Sequence, residues 1–166
     1  MPIYLDIPGI AGESAPDSTN TNWQNKIDVR YWTYSISVNT SMEVGTGLAS
    51  SGSTAGHMNV TKTMDVSTPL LFEKLCKGDI IPVMTLRETA MGSTGGIFEG
   101  ETYELQNVIV SHYTTSGADG MGGMPEEQWR FAFTTITETY NTTDEDGNQV
   151  GAIVGGHDFA KGVPTA

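Results

Sequence analysis

The sequence has almost no cysteine, few basic residues and no long apolar run, and each shortage excludes a class of protein. The one cysteine, Cys76, excludes an intrachain disulfide framework and a paired-cysteine metal site. Only 8 Lys and Arg oppose 20 Asp and Glu, and the net charge of −12 makes nucleic acid and anionic membranes poor partners. No run approaches the ~18 apolar residues of a membrane helix, and the N-terminus lacks the basic start of a secretory signal. We therefore expect no membrane insertion and folding in the cytoplasm.

What the chain has in abundance is small and β-branched residues. Among 166 residues there are 20 Gly, 22 Thr and 12 Ser, and only 17% of the residues are charged. Such a composition is unfavourable for helices and favours strands and turns. The length suits one domain of roughly 100–200 residues, so we predict a single domain over residues 1–166.

Alternating apolar and polar residues predict about eight strands. A clear example is the run in which Met58, Val60 and Lys62 alternate with polar neighbours. We interpret Glu126 and Glu127 as a solvated entry to a strand. The longer predicted strands are 27–38, 80–88, 98–113, 128–140 and 149–159.

One segment, residues 67–78, has the pattern of a helix. Thr68 is a suitable N-cap, Pro69 suits the first turn, and Gly78 suits the residue after the end. Cys76 falls on the predicted apolar side, where it is expected to be a small core residue. So short a helix must pack on a sheet to be stable.

Together these elements predict an all-β fold with one short helix, built as a β-barrel or a two-sheet sandwich. Residues 39–56 are rich in Gly, Ser and Thr, with only scattered apolar residues. Irregular segments of this length are uncommon inside compact domains and are usually functional or disordered. We therefore predict a long loop there that is flexible or forms an interface.

The motifs of common catalytic and cofactor sites are missing. Residues 45–50 fail the dinucleotide fingerprint because Ser50 replaces its third glycine, and no phosphate-loop lysine follows a glycine-rich turn. The acidic turn at 144–148 does not place its glycine where a calcium loop needs it. His57, His112 and His157 lack the spacing of metal ligands. We expect no enzyme activity, no cofactor and no metal, and therefore a binding or assembly role.

The ordered set of short motifs along the chain resembles the haemolysin-coregulated protein (Hcp) family, the inner-tube subunits of the bacterial type VI secretion system. The glycine-rich segment 39–56 lies where that family has its long extended loop. The motifs that carry the resemblance are Ile-Pro-Gly-Ile-Ala-Gly-Glu-Ser at 7–14, Ile-Asp-Val at 27–29, the strand-to-helix passage at 60–71, and Tyr-Glu-Leu-Gln-Asn-Val-Ile-Val-Ser at 103–111.

The resemblance implies an Hcp-like fold, similar to that of phage tail tubes, and a structural function. It implies homohexameric rings that stack into a tube inside a contractile sheath, with spike and effector proteins as partners. It also implies cytoplasmic assembly followed by export without a signal peptide. The segment 39–56 carries Met42, Val44 and Leu48 among small polar residues, and we expect these three to contact a neighbouring subunit or ring.

Two other functions fit the same sequence. One is a chaperone or carrier ring that binds effectors in its lumen, which the family resemblance allows alongside tube building. The other is an unrelated ligand-binding β-barrel, which would be monomeric with an apolar pocket. The oligomeric state separates these alternatives.

Overall fold

The structure is a computed structural model that describes residues 2–15, 23–43, 47–91, 97–117, 123–144 and 149–165. One helix, α1, spans Ser67–Lys77. The strands are β1 (Ile3–Asp6), β2 (Ile27–Val29), β3 (Tyr31–Thr33), β4 (Ile36–Glu43), β5 (Gly47–Ala55), β6 (Met58–Thr63), β7 (Ile80–Met91), β8 (Ile97–Ser116), β9 (Glu126–Ala132), β10 (Thr135–Thr143), β11 (Gln149–Asp158) and β12 (Val163–Pro164).

Ten of these strands form one antiparallel sheet, and β4 with β5 forms a second. The long strand β8 joins the two parts of the large sheet. Its first half pairs with β10, its second half pairs with β9, and β7 runs along its other side. The predicted all-β fold with one helix is confirmed. The strands make two antiparallel sheets and not a closed barrel, so the barrel alternative is wrong.

Two predicted segments differ from the structure. The predicted strand 128–140 is two strands, because β9 pairs with β6 while β10 pairs with β11. In the segment 39–56, predicted as a loop, residues 39–43 belong to β4 and residues 47–55 to β5, and the two strands pair with each other. The hairpin was missed because its Gly, Ser and Thr residues show no apolar alternation, and each strand pairs only with its immediate neighbour in the chain.

The core is one cluster of buried apolar residues, most of them from strands of the large sheet. In β6 the side chains of Met58, Val60 and Lys62 are buried while their neighbours are half-buried, which confirms the predicted alternation. Trp129 and Phe131 of β9 are fully buried opposite them. Burial of such aromatic side chains contributes on the order of 2–3 kcal/mol each. The other buried apolar residues belong mainly to β1, β2, β7 and β8.

The helix begins one residue before its predicted cap. Asp65 accepts hydrogen bonds from the amide and the hydroxyl of Ser67 at 3.0 and 2.5 Å. Its carboxylate thus provides a partner for a backbone amide at the start of the helix, which has no partner within the helix. Thr68 is not the cap, and its side chain is buried. The helix ends at Gly78, whose φ of 67° is the left-handed conformation that glycine adopts most easily. Cys76 is exposed, so the prediction that it lies in the core is wrong.

Candidate functional site

The clearest candidate for a functional surface is a stretch that contains almost no charge. Residues 31–61 carry a single charged side chain, Glu43, in a protein whose net charge is −12. A second uncharged stretch, residues 149–157, covers nearly all of β11. The centres of protein–protein interfaces are depleted in charged residues. These two stretches are therefore the candidates for an interface.

Strands β4 and β5 pair with each other in a sheet separate from the large one, and we call this pair of strands the arm. Met42 and Leu48 are directly paired across the arm, so their side chains lie side by side near its tip. They are 82% and 72% exposed. The structure thus brings together two of the three predicted contact residues. The third, Val44, lies outside the described residues.

The root of the arm is attached to the large sheet by aromatic and polar contacts. Tyr34, two residues before β4, stacks on Trp32 with ring centres 6.0 Å apart and meets Tyr103 edge-on at 5.5 Å. Its hydroxyl donates a hydrogen bond to a carboxylate oxygen of Glu138 at 3.1 Å. Burial, followed by the charge of Glu138 and this hydrogen bond, raises the pKa of Tyr34 to about 12. Tyr34 therefore stays a hydrogen-bond donor at neutral pH.

A small apolar cavity lies where the arm root crosses β10 and β11. Its volume is about 250 Å³. On one side of it, Ser53 Oγ of the arm lies 3.3 Å from His157 Nε2 of β11. We call this cavity the socket, and its lining residues are Tyr34, Ile36, Ile136, Glu138, Gly155, Gly156 and His157.

The exposed apolar residues of β11 extend the uncharged surface beyond the socket. Val150, Ile153 and Val154 are all exposed. On its other side β11 pairs with β12 at His157 and Asp158, and the Thr165 amide donates to the Gly156 carbonyl at 3.1 Å. Within the described ranges, the rest of β11 pairs with β10 alone. An edge strand with unpaired backbone groups and apolar side chains is a ready surface for association. The arm and β11 are thus two charge-poor stretches that meet at the socket, whose lining also includes Glu138 of β10.

Sequence reasoning missed a buried ionic cluster that holds the helix against the sheet. Lys62 is 1% exposed and Glu127 is 0% exposed. The Lys62 Nζ lies 2.9 Å from Glu127 Oε2 and 2.7 Å from Asp65 Oδ1. Glu127 also accepts hydrogen bonds from the hydroxyls of Thr68 and Tyr113 at 2.8 and 3.0 Å. The interpretation of Glu127 as a solvated entry residue is wrong.

The signal for this cluster was present in the sequence. Lys62 shares the alternation phase of Met58 and Val60, and Glu127 shares that of Trp129 and Phe131. In register, Lys62 is the direct partner of Glu127 across β6 and β9. Because the Lys62 ammonium is paired with both carboxylates, the arrangement of the cluster is structural and fixes the start of α1 on the sheet.

Neither a metal site nor a membrane span appears in the described part of the chain. Within the described ranges, no three His, Cys, Asp or Glu side chains gather closely enough to hold a metal ion. None of the helical segments described has the length and apolar character needed to cross a membrane.

Comparison with known proteins identifies the family. The sequence profile of the family described as "Type VI secretion system effector, Hcp" matches residues 4–140. The chain belongs to the Hcp family. Among solved structures, one described as a type six secretion system protein shares 26% identity over 99% of both chains, with a TM-score of 0.88. No curated protein sequence is matched at a comparable level of significance.

Two further solved Hcp structures have the same fold. Hcp1 from Salmonella typhimurium is 24% identical over 98% of this chain and 97% of its own, with a TM-score of 0.75. Hcp1 from E. coli is 22% identical over 96% and 99%, with a TM-score of 0.73. The family match over residues 4–140 makes this chain a type VI secretion tube protein, in a family whose role is structural.

Proposed function

We propose that this Hcp chain is a self-assembling ring subunit whose homohexameric rings stack into the type VI secretion tube. The observation that carries the proposal is the uncharged arm, with Met42 and Leu48 exposed at its tip. In a monomer, exposing this apolar pair to water is unfavourable in free energy. Contact with another copy buries the pair and removes that penalty. The family membership supports the same function.

In this function the ring acts without catalysis. Its further partners are the contractile sheath around the tube, the spike at its tip, and effector proteins carried in the lumen. Assembly takes place in the bacterial cytoplasm, and contraction of the sheath then exports the tube without a signal peptide. The family's role in type VI secretion supports this route.

The direct test is the size of the purified protein. Native mass spectrometry should show six copies, and negative-stain images should show rings. A protein that stays monomeric at high micromolar concentration and moderate salt would contradict the proposal, because a ring subunit must associate under those conditions.

A shortened arm tests the part that the hairpin plays. Thr40 pairs with Ser50 across the arm, so removal of residues 40–50 leaves a short turn on the pair Val38 and Ser53. We expect this variant to fold, because the large sheet is untouched, and to lose ring or tube formation. If it builds the same tubes as the parent, the arm is not an assembly element.

A further inference from the structure

Arg30 and Arg130 are exposed basic residues without an acidic partner in the described part of the chain. Within those ranges, no carboxylate oxygen lies within 4.0 Å of either guanidinium, and both side chains are exposed. The other basic residues all form ion pairs with carboxylates, and they are Lys26, Lys62, Lys74, Lys77, Arg87 and Lys161. In a protein of net charge −12, two unpaired guanidiniums are free for a carboxylate from another molecule.

Both arginines lie on one face of the large sheet, formed by β3, β6, β9 and the second half of β8. This face is the side turned away from the buried residues of β6 and β9, and we call it the outer face. Arg130 stands between Asn59 of β6 and His112 of β8, its direct partners in register. Arg30 precedes β3, and its Nε donates a hydrogen bond to the hydroxyl of Thr63 at 2.8 Å. Its guanidinium therefore reaches the outer face as well.

The outer face is polar and almost free of negative charge. Thr61, Gln128 and Thr114 form the row between the two arginines. Among the described residues of these strands, Glu126 is the one outward-pointing carboxylate, and it lies at the end of the face. The outer face thus carries two positive charges and one negative charge, in contrast with the acidic protein as a whole.

We propose that the outer face is a docking surface for an acidic protein segment whose carboxylates pair with Arg30 and Arg130. A guanidinium is suited to this role because its planar fork donates two parallel hydrogen bonds to one carboxylate. Asn59 and Thr63, which mark the positions of the two arginines along β6, are roughly 13 Å apart at ~3.3 Å per residue. An extended segment with acidic residues four positions apart spans the same distance.

Charge favours this occupant over a second copy or a nucleic acid. A second copy would bring its own net charge of −12, and the two acidic molecules repel each other within a screening length of about 8 Å. A nucleic acid carries about one phosphate per 1.7 Å of duplex, far more negative charge than two guanidiniums can offset on an acidic protein. A short segment with two or three carboxylates complements the outer face and adds little repulsion.

Fluorescence anisotropy with a labelled synthetic peptide tests this surface on the full chain. The probe is a short peptide of Ser, Thr and Ala with Asp at every fourth position, and its control has Asn in place of each Asp. We expect the neutral peptide to bind roughly threefold to tenfold more weakly than the acidic one, because it cannot form the ion pairs. Binding of the acidic peptide should also weaken as sodium chloride is raised from ~0.05 to ~0.5 M.

Variants of the two arginines assign the binding to the outer face. Arg30→Gln and Arg130→Gln should each lower the affinity for the acidic peptide about twofold to fivefold, the usual contribution of an exposed ion pair. Gln128→Glu should also lower it, since it places a carboxylate between the two arginines. The matched control is Lys77→Gln, which removes the same charge from the exposed side of α1 and should leave the affinity unchanged. Circular dichroism should show the parent fold in all of these variants.

Three outcomes would overturn this inference. The first is equal affinity of the acidic peptide for the parent and for the double variant of Arg30→Gln with Arg130→Gln. The second is tighter binding of a single-stranded DNA of the same length, which would make the outer face a phosphate-binding surface. The third is the loss of rings by native mass spectrometry in the double variant, which would show that the outer face joins two copies.

The same measurements separate this inference from the proposed function. Intact rings in the double variant, together with weakened peptide binding, support both. A parent protein that is monomeric but binds the acidic peptide through the two arginines would support the docking surface and contradict ring assembly.

Discussion

The replacement Lys62→Met should be among the most damaging single changes in this protein. The ammonium of Lys62 is the positive partner of two carboxylates, at 2.9 Å from Glu127 and 2.7 Å from Asp65. Methionine has nearly the same length and would fill the space without supplying charge. The carboxylate of Glu127, which is fully buried, would then have no positive partner within the cluster.

The expected size of the effect follows from that burial. Removing one partner of a buried ion pair costs about 3–5 kcal/mol of unfolding free energy, because the remaining charge stays desolvated. The hydroxyls of Thr68 and Tyr113 and the indole of Trp129 still donate to Glu127, which favours the lower half of that range. For a domain of this size, about 3–4 kcal/mol corresponds to a fall in melting temperature of roughly 10 °C.

Urea unfolding followed by circular dichroism measures this change, at one fixed protein concentration because association also stabilises the fold. The matched control is Lys77→Met, which removes the partner of Glu73 on the exposed side of α1 and should leave the unfolding midpoint nearly unchanged. Adding Glu127→Gln to Lys62→Met should recover part of the loss, since it removes the stranded charge. A loss below ~1 kcal/mol for Lys62→Met, or no recovery in the double variant, would refute the reasoning.

Two further predictions concern pH and salt. The pKa of Tyr34 is about 12 in the folded protein against 10.0 for a free phenol, so its contribution to stability is complete below pH 10 and is lost as pH rises toward 12. An ultraviolet titration of phenolate should show a step near pH 12 that Tyr34→Phe removes and Tyr31→Phe, at an exposed site, retains. Stacking of rings should increase with ionic strength, and as pH falls toward the sequence pI of 4.4, because both reduce the repulsion between acidic copies. Light scattering across a salt series measures it, and scattering that falls with added salt would show that ion pairs hold the rings together.

The elements that could be predicted from sequence are those whose signal is local. The helix over residues 67–78 was predicted within one residue at each end, because Pro69 and Gly78 mark its limits through their own backbone preferences. The alternation in β6 was also predicted, because burial on one face of a sheet imposes a period of two.

The elements that could not be predicted depend on which strands meet. The break between β9 and β10, at Phe133 and Thr134, is invisible in the apolar pattern because both sides of it are good strand residues. The pairing of Lys62 with Glu127 joins residues far apart in the chain. A sequence pattern places each of them on a face of its strand, but only the register of β6 on β9 makes them partners.

Sequence reasoning pointed to the arm of the candidate site but not to the socket, because the socket depends on which parts of the chain meet. Met42 and Leu48 stood out as apolar residues in a polar segment, and the structure pairs them near the tip of the arm. The socket was not predicted, because it is formed by three separate parts of the chain, around Tyr34, Ile136 and Gly155. A glycine whose missing side chain leaves open space looks like any other glycine in a sequence rich in them.

The distribution of charge links the stability of the fold to its assembly. An acidic protein that associates with itself either pairs its acidic groups with basic ones across the contact or keeps charge out of the contact. This chain has only eight basic residues, and Lys62 is used inside the fold, so a contact made through the uncharged arm and β11 would follow the second course. A contact without ion pairs has no charge pattern to fix the relative position of two copies. That position must then come from the shapes of the two surfaces that meet.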